Sequence, residues 1–256
     1  MIVQNSMYHH SIFSSFANGI TGKVNNQYNK LDYYFHLKKT NDSLVKVNEA
    51  LYNKLRNNYQ LPDTFSKRMV DSILVDTVMQ YKTFAWLSSK VISNSVSSQA
   101  NYIVLSGEQT SNYRQGMGVV DLAGNVVGIV SDVSNKYPVA MTLMNKGSRI
   151  SAKLFNTGEA GIVSWDGVSI NELMLDNIPK TAKVNVGDSV ITSGYTTAFP
   201  KGLLIGRVSS VTKENNIQKI KIASATNFYN LEYVYAIANS QQQEIEQILE
   251  KLKKQQ

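Results

Sequence analysis

The sequence has no cysteine, and only three histidines, four prolines and two tryptophans among 256 residues. Without thiols there are no disulfides, no thiolate metal sites and no thiol chemistry. This leaves the compartment open, because a cysteine-free chain suits an oxidising periplasm as well as a reducing cytosol. His9, His10 and His36 all precede the strand-rich part of the chain. A Ser-His-Asp triad needs a histidine that can take the serine proton, and that part of the chain contains none. The adjacent pair His9-His10 lacks the spacing of a metal-ligand set, so neither a metal nor another cofactor is expected. No apolar run approaches the ~18 residues of a membrane-spanning helix, and no signal-peptide core is present. Gly116-Met117-Gly118 is not followed by the helix that a dinucleotide or phosphate loop requires.

Charge is present but spread out. The net charge is +7 and the pI about 9.3. Residues 1–60 carry seven Lys/Arg against three acids, and the segment from Gln241 is balanced. There is no dense basic run and no aromatic-basic RNA motif, so no nucleic-acid partner is expected.

Three compositional zones follow one another. From about Asn26 to Tyr59 the pattern is helical, within a zone that reaches about residue 61. Leu37, Leu44 and Leu51 recur every seven residues, as do Tyr34, Asn41, Asn48 and Leu55. Placed at d and a, these two series form the seam of a coiled coil, with Asn41 and Asn48 as costly a-position residues that fix register in a parallel dimer. The alternative is one amphipathic helix packed on its own domain. The polar character of the remaining surface favours the dimer. Pro62 is expected to end the helix.

From about residue 70 to 239, short runs rich in Val, Ile, Thr and Tyr alternate with Gly, Asn, Asp and Ser clusters. Strands are expected near Asp71–Tyr81, Ala85–Ser93, Tyr102–Ser106, Gly118–Asp121, Val126–Val133, Val139–Leu143 and Ile150–Leu154. More are expected near Ala160–Trp165, Leu173–Leu175, Ser189–Thr192, Leu204–Thr212, Gln218–Ala223 and Tyr233–Ala238. So many strands without an intervening helical period argue for two β subdomains rather than a βαβ design. The last zone, from residue 240, places Ile245, Ile248, Leu249 and Leu252 on one helix face, as a short helix or tail.

Candidate chemistry is sparse. The carboxylates of the β region are scattered among turns, and nothing selects a catalytic pair. The stretch VGDSVITSGYTTAFPKGLLIGRV, residues 186–208, poses the sharper question. Ser193 could be a nucleophile with Asp188 as helper, making a barrel-type hydrolase, but no base is in sight. The structural reading is a strand ending in a turn at Gly194, a second turn at Phe199-Pro200-Lys201-Gly202, and a bulge or close approach at Gly206. A glycan-binding module would instead stack sugars on Trp165, Tyr195 or Phe199, although simple packing is favoured for Trp165.

Three motifs carry a family resemblance. Gly116-Met117-Gly118-Val119-Val120-Asp121 leads into Gly124-Asn125-Val126-Val127-Gly128-Ile129-Val130. Gly158-Glu159-Ala160-Gly161-Ile162-Val163 is the second. The third runs from Gly187-Asp188 through Thr192-Ser193-Gly194 to Pro200, Gly202 and Gly206. In these the chain resembles the rod-shape-determining MreC family, apart from Ile129 in place of a frequent Arg and an uncommon loop at Tyr195-Thr196-Thr197-Ala198.

The resemblance implies a mainly β protein: an N-terminal coiled-coil helix, two small β-barrel-like domains without a triad, and a short C-terminal helix. It implies a membrane-proximal segment over 1–25, a coiled-coil helix over 26–61, and a first β domain from 70–111 plus 214–239. The second β domain would span 112–213, with a terminal helix or tail over 240–256. It also implies a non-enzymatic scaffold of bacterial cell elongation at the periplasmic face of the inner membrane, held there by an anchor outside this sequence. The implied partners are a second copy, with further self-association through the β domains, the membrane protein MreD and a class B penicillin-binding transpeptidase. Tyr195 and Phe199, on a loop, are the candidate partner contacts.

Overall fold

The computed structural model describes residues 36–55, 58–60, 72–75, 78–134, 136–214 and 217–253. The chain divides into two compact units, Met1–Val47 and Asn48–Gln256. The described part of the first unit is helical. It belongs to α1, residues 36–53, whose last residues open the second unit. The helix ends well before Pro62, which lies outside the described residues. Its final turn tightens through Lys54 N–H to Leu51 O and Leu55 N–H to Tyr52 O. The Asn58 side-chain amide donates to Tyr52 O at 2.6 Å. A side chain thus adds a second donor to a carbonyl of the last turn, where the helix stops.

After α1 comes a three-stranded antiparallel sheet of β1 (Tyr59–Gln60), β2 (Ser72–Val75) and β3 (Val78–Lys82), in the order β1-β3-β2. The single strand expected over Asp71–Tyr81 is therefore a hairpin, with Val75 opposite Val78. The next strands are β4 (Phe84–Asn94), β5 (Ala100–Ser106), β6 (Gly118–Asp121), β7 (Val126–Val133) and β8 (Pro138–Asn145). Then come β9 (Ile150–Leu154), β10 (Ala160–Ser164), β11 (Glu172–Asp176), β12 (Ser189–Thr192), β13 (Leu204–Glu214), β14 (Ile217–Ser224) and β15 (Tyr233–Asn239). They close into two six-stranded barrels, β15-β4-β5-β8-β7-β6 and β10-β11-β14-β13-β12-β9. Helix α2 (Gln242–Lys253) ends the chain.

Two mainly β barrels and a terminal helix agree with the sequence reading, but their boundaries do not. β6, β7 and β8 belong to the first barrel, and β14 to the second, so the divisions at residues 112 and 214 are both corrected. The reason is hairpin adjacency. β13 and β14 pair from Gly206 opposite Ser224 to Glu214 opposite Ile217, and β14 then closes on β11. Only β15 returns to the first barrel, between β4 and β6.

Each barrel is filled by the inward half of a period-two pattern. In the second, Leu173 and Leu175 of β11 and Ile220 and Ile222 of β14 are fully buried while Lys219 and Lys221 face out. In the first, Ile103, Leu105, Val119, Val130, Val234 and Ala236 are at or near zero exposure. Several motif glycines are packing devices inside strands rather than turns. A Cβ on Gly118 would lie 2.3 Å from the Phe199 ring, and one on Gly161 would lie 2.5 Å from Asp176 O.

Candidate functional site

The 193–203 loop is built by one threonine. Thr192 Oγ1 donates to Pro200 O at 2.6 Å and accepts from Leu203 N–H at 3.0 Å. Thr192 O accepts from Gly202 N–H, and its own N–H donates to Leu203 O. These bonds staple the two ends of the loop and hold its tip against the first barrel. There Gly118 N–H donates to Ala198 O, Asn239 Nδ2 donates to Thr197 O, and Phe199 lies on the bare Gly118 backbone. Phe199 is 2% exposed, so it joins the barrels and is not available to a partner. Tyr195, at 77%, is.

The same geometry does not favour the hydrolase reading. Ser193 is buried, and its hydroxyl pairs with Ser151 Oγ at 2.8 Å while accepting from Tyr195 N–H. Asp188 lies at the opposite end of β12. Its carboxylate is occupied by Asn156 Nδ2 and Asn185 N–H, which shape the turn before the strand. Among the described residues its hydroxyl makes no hydrogen bond to a histidine, lysine or carboxylate. The glycan platform also loses its members. Trp165 is buried with its indole N–H on Ser169 O, Phe199 is buried, and only Tyr195 remains.

Of the expected seam, Tyr34 lies outside the described residues. Leu37, Leu44, Leu51 and Leu55 are each about half exposed, and Val47 joins them. Asn41 is half-buried. Asn48 is turned inward, where its side chain hydrogen-bonds Tyr235.

What that reading missed is the face of the helix end next to the leucines. Tyr52 stacks on Trp86, with centroids 4.4 Å apart and planes 10° apart, and Tyr235 meets the Trp86 edge at 6.0 Å. Asn53 pairs with β4 as another strand would, giving Nδ2 to Trp86 O and taking Trp86 N–H on Oδ1, both at 2.9 Å. Trp86 Nε1 donates to Asn58 Oδ1. The Tyr52 hydroxyl donates to Leu122 O, on the β6–β7 hairpin that the Asp121 carboxylate organises. Glu49 accepts from Ser88 Oγ and Gln109 Nε2. An open groove of about 330 Å³ lies beside this cluster, between the helix end, the β6–β7 hairpin and the stapled loop.

Burial pushes the hydroxyl of Tyr235 up to about 12, and burial does the same for Tyr113, whose hydroxyl packs on Ser89. An unfolded tyrosine loses its proton near pH 10. The native state therefore holds more protons than the unfolded state above that pH, and stability falls as pH rises. The urea midpoint should be unaffected by these groups below pH 10 and decline steadily between 10 and 12. A midpoint still flat at pH 11.5 would show that neither phenol is as enclosed as described.

Within both barrels every strand has two neighbours, so strand addition at an edge is not open to a partner there. A partner of either barrel must therefore use side-chain surfaces. Among the described residues no helix is long and apolar enough to cross a membrane.

Comparison with known proteins agrees with this architecture. The family model "Rod shape-determining protein MreC, barrel core" matches residues 91–238. The Cell shape-determining protein MreC of Listeria monocytogenes is 23% identical over 232 residues, covering 89% of this chain and 75% of that protein. Among solved structures, MreC from Listeria monocytogenes superposes with a TM-score of 0.56 at 21% identity, over 82% of this chain and 92% of that one. MreC from Pseudomonas aeruginosa gives 0.53 at 21% identity, over 59% and 97%. A complex between Penicillin-Binding Protein (PBP2) and MreC from Helicobacter pylori contains a chain that gives 0.51 at 20% identity, over 61% and 99%. With its barrel core matched from β4 to β15, this chain belongs to the MreC family of rod-shape-determining proteins.

Proposed function

We propose that the chain is a non-enzymatic scaffold of the cell-elongation machinery at the periplasmic face of the inner membrane. In this reading it dimerises along α1, docks a class B penicillin-binding transpeptidase on its barrels, and works beside MreD. The observation that carries it is the exposed apolar stripe Leu37, Leu44, Val47, Leu51 and Leu55 on an otherwise polar segment. Half-exposed leucines at this spacing are what a second helix would cover. Two closed barrels whose most nucleophile-like residue is buried without a base support a binding role over a catalytic one. The PBP2 complex of the Helicobacter pylori relative supports the choice of partner.

The test has two readouts on the soluble chain. Sedimentation at about 10 µM should give a dimer that the double variant Leu44→Ala, Leu51→Ala converts to monomer, because each truncation removes about 2 kcal/mol of burial. Biolayer interferometry should give saturable binding to the periplasmic part of the matching transpeptidase. A variant that stays dimeric removes the seam. A confirmed dimer that does not bind removes direct docking.

A further inference from the structure

Helix α2 is fastened at its start and uncovered beyond it. Ser240 N–H donates to Thr83 O, Gln241 N–H donates to Asn239 Oδ1, and the buried Gln242 gives its Nε2 to Gln115 O. These bonds fix the first turn to the first barrel. From Gln243 onward every described side chain is exposed, including Ile245 at 36% and Ile248 at 51%. The two isoleucines are three residues apart and share one side of the helix. Glu244 stands just before the first and Lys251 three residues after the second, both exposed. The helix has twelve residues, a length that is marginal in water unless an apolar edge is buried. In heptad terms Ile245 and Ile248 are a and d, and Glu244 and Lys251 are successive g positions. Two copies laid antiparallel, with Ile245 of each against Ile248 of the other, bring each Glu244 beside the Lys251 of the opposite helix. A parallel pair in register sets g against e, and the e positions carry no charge here. The helix dipole favours an acid early and a base late in any helix, but it does not call for exposed isoleucines between them.

We infer that α2 is a second self-association element, which pairs antiparallel with α2 of another copy. The contact is isologous, one patch meeting itself about a two-fold axis. Lipid is the weaker occupant. From Gln241 to the end there are three acids and three bases, so no basic excess draws the helix to an anionic surface. With so few side chains covered, the contact falls well short of the area of a stable dimer. It acts where chains are already crowded, as on a membrane face. It goes beyond the pairing proposed along α1, because a chain with both contacts can link dimers into a row.

The test is sedimentation equilibrium of the full chain carrying Leu44→Ala and Leu51→Ala, so that the α1 seam does not hide a weaker contact. Reversible self-association with a Kd of roughly 0.1–1 mM is expected. In the ¹⁵N-labelled chain, amide shifts that depend on protein concentration should be confined to α2. Ile248→Lys, at an exposed position, should abolish the association. Glu244→Lys and Lys251→Glu should each weaken it about fivefold, the scale of two exposed ion pairs, because each sets like charges together. The two substitutions combined restore opposite charges across the antiparallel contact and should recover the original Kd, although they run against the dipole of their own helix. A merely dipolar role predicts the reverse, with the double variant weakest. No association at about 1 mM overturns the inference, as does association that Ile248→Lys leaves intact or a double variant no stronger than the single ones. Phosphatidylglycerol vesicles that shift the α2 amides, where protein concentration does not, would assign the helix to a lipid surface and overturn it too. A dimer persisting at about 10 µM in this background counts against the α1 seam alone, since the α2 contact is too weak to form there, so the two readings fail separately.

Discussion

Gly128→Ala should cost at least about 3 kcal/mol, enough to lower the melting temperature by roughly 10 °C in a unit of this size. Gly128 sits in β7 between two strands, opposite Val119 on β6 and Thr142 on β8. A Cβ there would lie 2.0 Å from Met141 O and 2.8 Å from Thr142 Cα. Both are backbone atoms, so no rotamer change relieves the clash. Only a displacement of β8 does, and it breaks ladder hydrogen bonds on which barrel closure depends. A native protein has a margin of about 5–15 kcal/mol, so this methyl removes a large part of it. Gly158→Ala is the control. Its φ is +78° and nothing lies within 4 Å of the added Cβ, so the cost is backbone strain alone, about 1–2 kcal/mol. Urea unfolding of the two variants separates the causes. If Gly128→Ala unfolds no more easily than Gly158→Ala, β8 is not held as closely as the register describes.

Much of this was readable in advance, and what was not has a common cause. The bounds of β6, β7, β9 and β12 follow from alternation between turn residues, because those turns are made by neighbours in sequence, such as Asp121 with Ala123 and Asn125. The leucine stripe of α1 is readable for the same reason. Which barrel a strand joins is not. An Ile-rich strand such as β14 has no local mark of its partner, and β15 reaches β4 and β6 across more than a hundred residues. Phe199 is buried although its loop, flanked by Gly and Pro, reads as exposed. The complementary signal was Gly118, whose missing side chain makes the seat for the ring. Asn53 and Asn58 carry no local mark of their role, since their partner Trp86 lies about thirty residues further on.

Trp86→Ala should lower stability by about 3–5 kcal/mol, or the melting temperature by 10 °C or more. The loss has three parts that one indole supplies. It fills a site that is 2% exposed, so its removal leaves a cavity. It offers a face to Tyr52 and an edge to Tyr235, contacts worth about 0.5–1.5 kcal/mol each beyond area. Its N–H satisfies Asn58 Oδ1, a carbonyl oxygen in a residue that is 1% exposed. Left alone, that oxygen carries a desolvation cost of about 1–3 kcal/mol. Trp86→Phe separates these parts, because it keeps a ring for Tyr52 but not the N–H, and should fall between wild type and the alanine variant. The loss should also be felt at the helix end. Asn58 holds Tyr52 O through its amide, and Asn53 holds the Trp86 backbone, so loosening the indole loosens the last turn of α1. Amide exchange at residues 50–55 should therefore quicken in Trp86→Ala relative to exchange in β9–β14. Uniform acceleration across both barrels would mean that the tryptophan serves only the general core and that the helix end is held by other contacts.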